Sequence, residues 1–377
     1  MRRAGLRWVV TSALAVCWGC DGAGRGGIRA GAGRPPPGWK PLRVSHVRLS
    51  VDKLGPIPNS GLLLPAVGGE GKWVAYLTVS ADSAVEQRAL LTGRGLKGAA
   101  LAMRATVAGA APRTICPSGA AWPAWSADGK LLAYVAAGAG GQAVLAVHDV
   151  AAGTTRRIGV GVAWMFMPSF SPDARRVAVV VPGELPNQSR VHVVDLETAK
   201  LTPAPQGADE QWQIAPAWRD RRRVAFVRSV GQVVELAQWE VGSPTVRSAA
   251  PLAVSAAMSD AFQSFAGLPA SMAPGGRGFA YYRAMDDRVA IAPLPGGQGR
   301  SMPDGTRAGC WLGAEHFLSA TDADLLLTAV GSGESKRLID GRWLPLWGNW
   351  RRREAIVCTA TSDPWTFGLV RLRLLAE

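Results

Sequence analysis

Side chains able to do chemistry are few and scattered in this 377-residue chain. The histidines are His46, His148, His192 and His316, and none forms an HExxH pair, so no zinc-hydrolase helix is written here. His148 and His192 stand in matching strings, AVHDV and RVHVVDL. A metal or proton site between neighbouring elements would need three or four converging ligands, and the expectation is that both are ordinary outward-facing strand residues. No Gly-x-Ser-x-Gly elbow occurs, which removes the α/β-hydrolase nucleophile. Asp128, Asp173, Asp149 and Asp195 recur at turn positions, where a carboxylate accepts backbone N–H bonds. Asp322 and Asp324 (TDAD) invite calcium, yet their neighbours do not supply the set of oxygens that a calcium loop needs. Cys116, Cys310 and Cys358 are read as buried free thiols, with a Cys310–Cys358 bridge as the alternative. No metal, cofactor or catalytic residue is expected.

Two other residue types are more suggestive. Trp122 precedes Trp125, Trp164 and Phe166 precede Phe170, Trp212 precedes Trp218, and Trp343 precedes Trp347. Aromatics gathered at one place make either a stacking surface for a partner or a packed seam. Lys and Arg number 42 against 28 acids, a formal +14, with runs at Arg221-Arg222-Arg223 and Arg351-Arg352-Arg353. Such runs are candidate anion sites for lipid, peptidoglycan or acidic polysaccharide. Nucleic acid is not expected.

A repeat positions these residues. AWPAWSADGKLLAYV (121–135), WMFMPSFSPDARRVAVVV (164–181) and WQIAPAWRDRRRVAFV (212–227) share a Pro, a small residue, an aromatic, a polar turn and an apolar strand. The spacing is 45 residues from Trp125 to Phe170 and 48 from Phe170 to Trp218, the length of a four-stranded blade. Hairpins such as AVLAVHDVAAGTTRRI (143–158) complete the unit, with Gly109 and Gly153 at turn positions needing positive φ. The fold class is therefore an all-β propeller of four-stranded blades. Seven units are counted, 62–115, 119–159, 163–205, 212–250, 267–303, 308–341 and 343–375, with six blades as the alternative. The last unit lacks a fourth strand, and residues 42–51 (LRVSHVRLSV) are read as the N-terminal strand that closes the ring. Closure removes sheet edges that would otherwise pair with other chains. Residues 81–99 read as a surface loop of the first blade.

The domains follow. Residues 1–20 begin with Arg2, Arg3 and Arg7, continue with the apolar run WVVTSALAV and end in CWGC. They read as an export signal too short to span a bilayer. Residues 21–41, rich in Gly, Ala, Arg and Pro, read as a tether, and 42–377 as the propeller. A Cys closing the apolar run resembles a bacterial lipoprotein signal, in which that Cys becomes the lipidated first residue. Gly19 before Cys20 favours lipidation at Cys20, while Leu14-Ala15-Val16 offers Cys17; an ordinary signal peptide is the other reading. Pro-Ser-Phe-Ser-Pro-Asp (168–173) and Pro-Ala-Trp-Ser-Ala-Asp-Gly (123–129) resemble the WD-like repeat of the TolB family. The resemblance spans most of 60–303. It implies a propeller; TolB's looks six-bladed, and the α/β domain that precedes it has no room in 21–61.

The expected function is a non-catalytic scaffold of the cell envelope, periplasmic or outer-surface. It would be a monomer held to the membrane by its N-terminal lipid. It would bind a protein or peptide at one mouth of the channel through Trp122, Trp164, Phe166, Trp212 and Trp343. Alternatives are a propeller lyase, hydrolase or lactonase acting on carbohydrate, and a sensor of anionic cell-wall ligands through the arginine runs.

Overall fold

The structure is a computed structural model that describes residues 16–17, 44–58, 65–78, 99–139, 142–163, 167–185, 188–252, 271–283, 286–294, 299–363 and 366–376. Among these, no helix is long and apolar enough to cross a membrane. Most of residues 1–41, read above as signal and tether and including Cys20, lie outside the described residues; β1 (Val16–Cys17) runs parallel to Gly309–Cys310.

The remaining strands fall in the order of the repeat. After a turn at Val44–His46 comes β2 (Val47–Pro58). The first unit holds β3 (Ala66–Gly68), β4 (Trp73–Thr78), β5 (Ala100–Ala105) and β6 (Arg113–Cys116). The second holds β7 (Ala120–Trp125), β8 (Leu131–Ala137), β9 (Ala143–Asp149) and β10 (Thr154–Gly161). The third holds β11 (Ser169–Phe170), β12 (Arg176–Pro182), β13 (Ser189–Asp195) and β14 (Leu201–Pro203). The fourth holds β15 (Glu210–Trp218), β16 (Arg223–Val230), β17 (Val233–Glu240) and β18 (Val246–Pro251). The fifth holds β19 (Ser271–Met272), β20 (Gly278–Arg283), β21 (Arg288–Pro293) and β22 (Arg300–Ser301). The sixth holds β23 (Ala308–Trp311), β24 (His316–Ala320), β25 (Asp324–Ala329) and β26 (Ser335–Asp340). The last holds β27 (Trp343–Asn349), β28 (Glu354–Ala360) and β29 (Thr366–Ala376), with β2 as its fourth strand.

The chain is thus an all-β propeller of four-stranded units, but the blade count is corrected. Five sheets stand as discrete blades, four of them four-stranded and one, with β1 added, five-stranded. They are neither seven nor six. Residues 169–251 instead form one eight-stranded sheet, because Ser189 pairs in parallel with Trp212. Buried Gln213 explains the fusion. Its Nε2 donates to Pro205 O at 2.8 Å, its Oε1 accepts from Val191 N at 3.0 Å, and its carbonyl accepts from Ser189 Oγ at 3.0 Å. A buried amide must find such partners, and here they lie on the neighbouring unit.

Aromatics seal the seams. Trp125 Nε1 donates to Ala66 O of the preceding inner strand at 3.0 Å, and Trp218 Nε1 donates to Ser169 O at 2.9 Å. Gly68 leaves room for the first indole, since a Cβ there would lie 2.1 Å from Trp125 Cγ. The turns between first and second strands also touch around one face, called here the hairpin face. Gly129 meets Gly69, Gly276 meets Arg219, Trp350 meets Gly313, and Arg352 pairs with Glu70. On the opposite, crossover face, each outer strand connects to the next inner strand.

The expected closing strand is present and longer than its 42–51 sequence reading. β2 pairs antiparallel with β29 from Val47↔Ala376 to Pro58↔Thr366, with a bulge at Lys53–Gly55. Its prolines, Pro56 and Pro58, suit an outermost strand. Buried Arg104 clamps it, donating Nη1 to Leu54 O at 3.1 Å and Nη2 to the carbonyls of Gly55 and Pro56 at 3.3 Å. Arg104→Ala leaves those carbonyls without a charged donor and should cost about 3 kcal/mol, read as a lower urea midpoint; an unchanged midpoint would remove the clamp. Gly129→Ala should also destabilise, because φ is +67° and a Cβ would sit 2.2 Å from Gly69 Cα. Ala174, at the matching turn position with φ +57°, should gain stability as Gly, by roughly 1 kcal/mol in the same melts.

Candidate functional site

The inner strands do not present the expected open ring of indoles. Trp212 is fully buried and Trp122 is 6% exposed, both inside the apolar cores between units. Trp343 is half-buried at the start of β27, its Nε1 donating to Asp340 O at 3.0 Å. Trp164 and Phe166 lie outside the described residues. The cause of burial is a repeated bulge. Trp122 and Ala215 each precede the inner-strand proline and adopt φ of 53° and 52°, and the register to the second strand shifts there. A residue before proline is ordinarily extended; the left-handed turn takes the Trp122 indole into the seam.

The crossover face carries acids that sequence reasoning missed. Glu210, at the head of β15, is 5% exposed, and its Oε2 accepts from Gly207 N at 3.1 Å and lies 3.4 Å from Arg228 Nη1. Arg228 also meets Glu235 at 2.7 Å. Beside Glu210 an open cleft of about 490 Å³ is lined by Leu185, Gln188, Asp209, Gln211 and Gly231. Across the face, Arg307 at the head of β23 holds Asp287 of the fifth unit at 2.5 Å and Asp322 of the sixth at 2.8 Å. Tyr282 OH donates to Asp287. Burial pushes the Asp287 carboxyl up, but the Arg307 and Tyr282 hydrogen bonds outweigh it and hold it below the usual range. The Tyr282 phenol is pushed up by burial and then by Asp287. Asp287 sits at φ 49°, a strained position held by these contacts. A charged residue heads both inner strands, Glu210 and Arg307. They stand at different depths, Glu210 eight residues before Trp218 and Arg307 four before Trp311, so the repeat does not superpose them.

Asp322 and Asp324, which the sequence did not support as calcium ligands, make ion pairs, the first with Arg307 at 2.8 Å and the second with Arg337 at 2.6 Å. Among the described residues no group of three His, Cys, Asp or Glu could hold a metal.

The hairpin face carries the arginine runs. Ser126 Oγ donates to Asp128 Oδ1 at 2.7 Å and Ser171 Oγ to Asp173 Oδ1 at 2.6 Å, so both acids serve their turns. Asp149 and Asp195 do the same for the outer hairpins. In the fourth unit Asp220 holds the turn. It accepts from Arg222 N and Arg223 N at 2.9 Å and pairs with the Arg223 guanidinium at 2.5 Å. Arg352 pairs with Glu70 at 2.6 Å, and Arg353 is half-buried. Arg221, Arg222 and Arg351 are exposed, with no ion pair of theirs among those found in the described residues.

Cys116, Cys310 and Cys358 are buried and unbridged, and burial pushes the Cys310 and Cys358 thiols well up, away from reactivity. His148 is not outward-facing as expected but 3% exposed, between Arg113 Nη2 and Thr155 Oγ1, each at 2.9 Å. His192 is half-buried against Arg190 O at 3.2 Å. His316 stacks on Trp350 with ring centroids 3.7 Å apart.

No protein-family model matches the chain, and no curated protein matches it either. Solved structures do. The β-propeller domain of the trilobed protease from Pyrococcus furiosus, described as having an open velcro topology, superposes with a TM-score of 0.56 at 14% identity, over 88% of this chain and 98% of that one. The Pyrococcus horikoshii acylaminoacyl peptidase gives 0.54 at 12% identity, over 89% of this chain and 53% of its own. TolB from Acinetobacter baumannii gives 0.46 at 15% identity, over 81% and 66%. The chain therefore spans under two thirds of the TolB and peptidase chains, and at such identities the likeness shows the propeller fold alone.

Burial lowers the folded pKa of His148, His192 and His316. The unfolded chain, with histidines near the usual ~6.5, then binds more protons as pH falls below that value, and stability drops. Asp195, Asp220, Asp286 and Asp287, all held below the usual carboxylate range, add a second loss at more acid pH. Urea midpoints should hold above pH ~6.5 and decline below it. A shallower decline is expected in a His148→Gln, His316→Phe variant; an equal decline would place the linkage elsewhere.

Proposed function

We propose that this propeller is a non-catalytic envelope scaffold whose crossover face, at one mouth of the channel, binds a protein or peptide partner through a cationic segment. The observation carrying this reading is charge. In a chain of net +14, Asp209, Glu210, Asp286, Asp287, Asp304 and Asp322 gather on the face where the inner strands begin. Ion pairs to Arg228, Arg288 and Arg307 fix several of them. Fixed acids at a rigid rim steer and orient a basic ligand. The closed ring and fused third and fourth units favour a stationary platform.

The test is capture from mildly cross-linked envelopes with intact-mass analysis of the N-terminus. Asp209→Lys, Asp304→Lys and Asp322→Lys together should abolish recovery of a stoichiometric partner. Thermal midpoints should move little, because exposed ion pairs contribute about 0–1 kcal/mol. A partner retained by the triple variant, or turnover of a glycan by a partner-free preparation, would overturn the reading.

A further inference from the structure

We infer that the hairpin face is a docking surface for an anionic bilayer. The inference accepts the envelope address proposed above but uses no protein partner. Three observations converge on that face.

The first is where the closing strand enters the ring. β2 starts at Val47 opposite Ala376, beside Arg373, which is in register with Glu354 just after the last hairpin turn. Lys336 Nζ holds the preceding turn, donating to Ser45 O at 2.8 Å and Val47 O at 2.9 Å. The closing strand therefore enters the outer edge of the ring on the hairpin face, among Arg48, Lys336 and Arg373.

The second is charge. The turns of this face touch in series and carry Arg221, Arg222 and Arg351, exposed and outside the Asp220–Arg223 and Glu70–Arg352 pairs. Exposed Arg175 extends the row, and so does Lys130, although it lies 3.8 Å from Asp128. Each basic side chain near an anionic leaflet contributes about 1 kcal/mol, or about fivefold in partitioning. Guanidinium groups also fork two N–H bonds onto phosphate oxygens.

The third is apolar. Among the described residues the exposed large apolar side chains are Leu185 and Val233 on the crossover face, Val51 on β2, and a last pair, Val107 at 54% and Leu375 at 48%. Both lie on the hairpin face at the closing seam, Val107 after β5 and Leu375 opposite Arg48. Apolar tips among arginines fit the boundary between headgroups and acyl chains better than a soluble polyanion.

The experiment is vesicle co-sedimentation of the full chain carrying Cys17→Ser and Cys20→Ser, so that no acyl group contributes. Vesicles of phosphatidylethanolamine with phosphatidylglycerol are compared with phosphatidylcholine alone, at low and high salt. Binding should require phosphatidylglycerol and weaken with salt. Arg221→Gln, Arg222→Gln and Arg351→Gln together should lower it roughly tenfold or more. The same number of changes at exposed Arg157, Arg247 and Arg342, on outer strands and the crossover face, should leave it near the starting level. Circular dichroism melts keep misfolding apart from lost binding. Equal binding to both vesicle types, equal losses in both variants, or binding to soluble peptidoglycan fragments without vesicle binding would each overturn the inference. The assay holds no protein partner, so its failure and that of the scaffold reading are separate results.

Discussion

Every other contact in the ring presupposes the antiparallel pairing of 47–58 with 366–376. A propeller sheet buries both faces only when it has a neighbour on each side, and the first and last units become neighbours only if the chain ends meet. The seams within the repeat are closed by indoles reaching back to the preceding inner strand. The closing seam relies instead on guanidinium groups. Arg104 binds the carbonyls of β2, and Arg371 Nη2 donates to Thr106 O at 3.2 Å and Gly71 O at 3.4 Å. Charge-assisted bonds of this kind are about twice as strong as neutral ones. They also reach further than an indole packed against glycine.

Strand order was legible because the repeated string encodes both strand and turn. Pro-x-aromatic marks the inner strand and Ser-x-Asp the turn, and both functions are visible as hydrogen bonds. The closing strand was legible from the missing fourth strand of the last unit. The blade count was not, since the fusion of the third and fourth units rests on one amide, Gln213, whose partners lie 8 to 24 residues away. Nothing in the spacing of the repeat records that choice.

The site was less legible than the fold for a related reason. Trp122 stands where an extended strand would aim it at the channel, but the φ of 53° before Pro123 redirects it. Glu210 lies eight residues before Trp218 and Arg307 four before Trp311, so a search down one column of the repeat passes over them. What the structure adds is a grouping by face: acids tied by arginine on the crossover side, and arginines without ion pairs on the hairpin side.

The hairpin arginines gain meaning from the turn they replace. In the second and third units the turn uses a Ser, an Asp and a residue at positive φ, Gly129 or Ala174. In the fourth, the Asp220 carboxylate accepts from Arg222 N and Arg223 N and neutralises Arg223, while Arg223 O accepts from Arg219 N. The side chains at 221 and 222 are thereby released from any part in holding the backbone. A turn needs no cation at either place, and two adjacent guanidinium groups repel one another across exposed surface. Water and salt screen that repulsion, and both groups stay open to an external anion. The last unit repeats the pattern with Asn349 Oδ1 accepting from Arg352 N at 3.0 Å while Arg351 stays exposed. Two unrelated turn solutions thus leave the same chemistry on the face where the closing strand enters the ring.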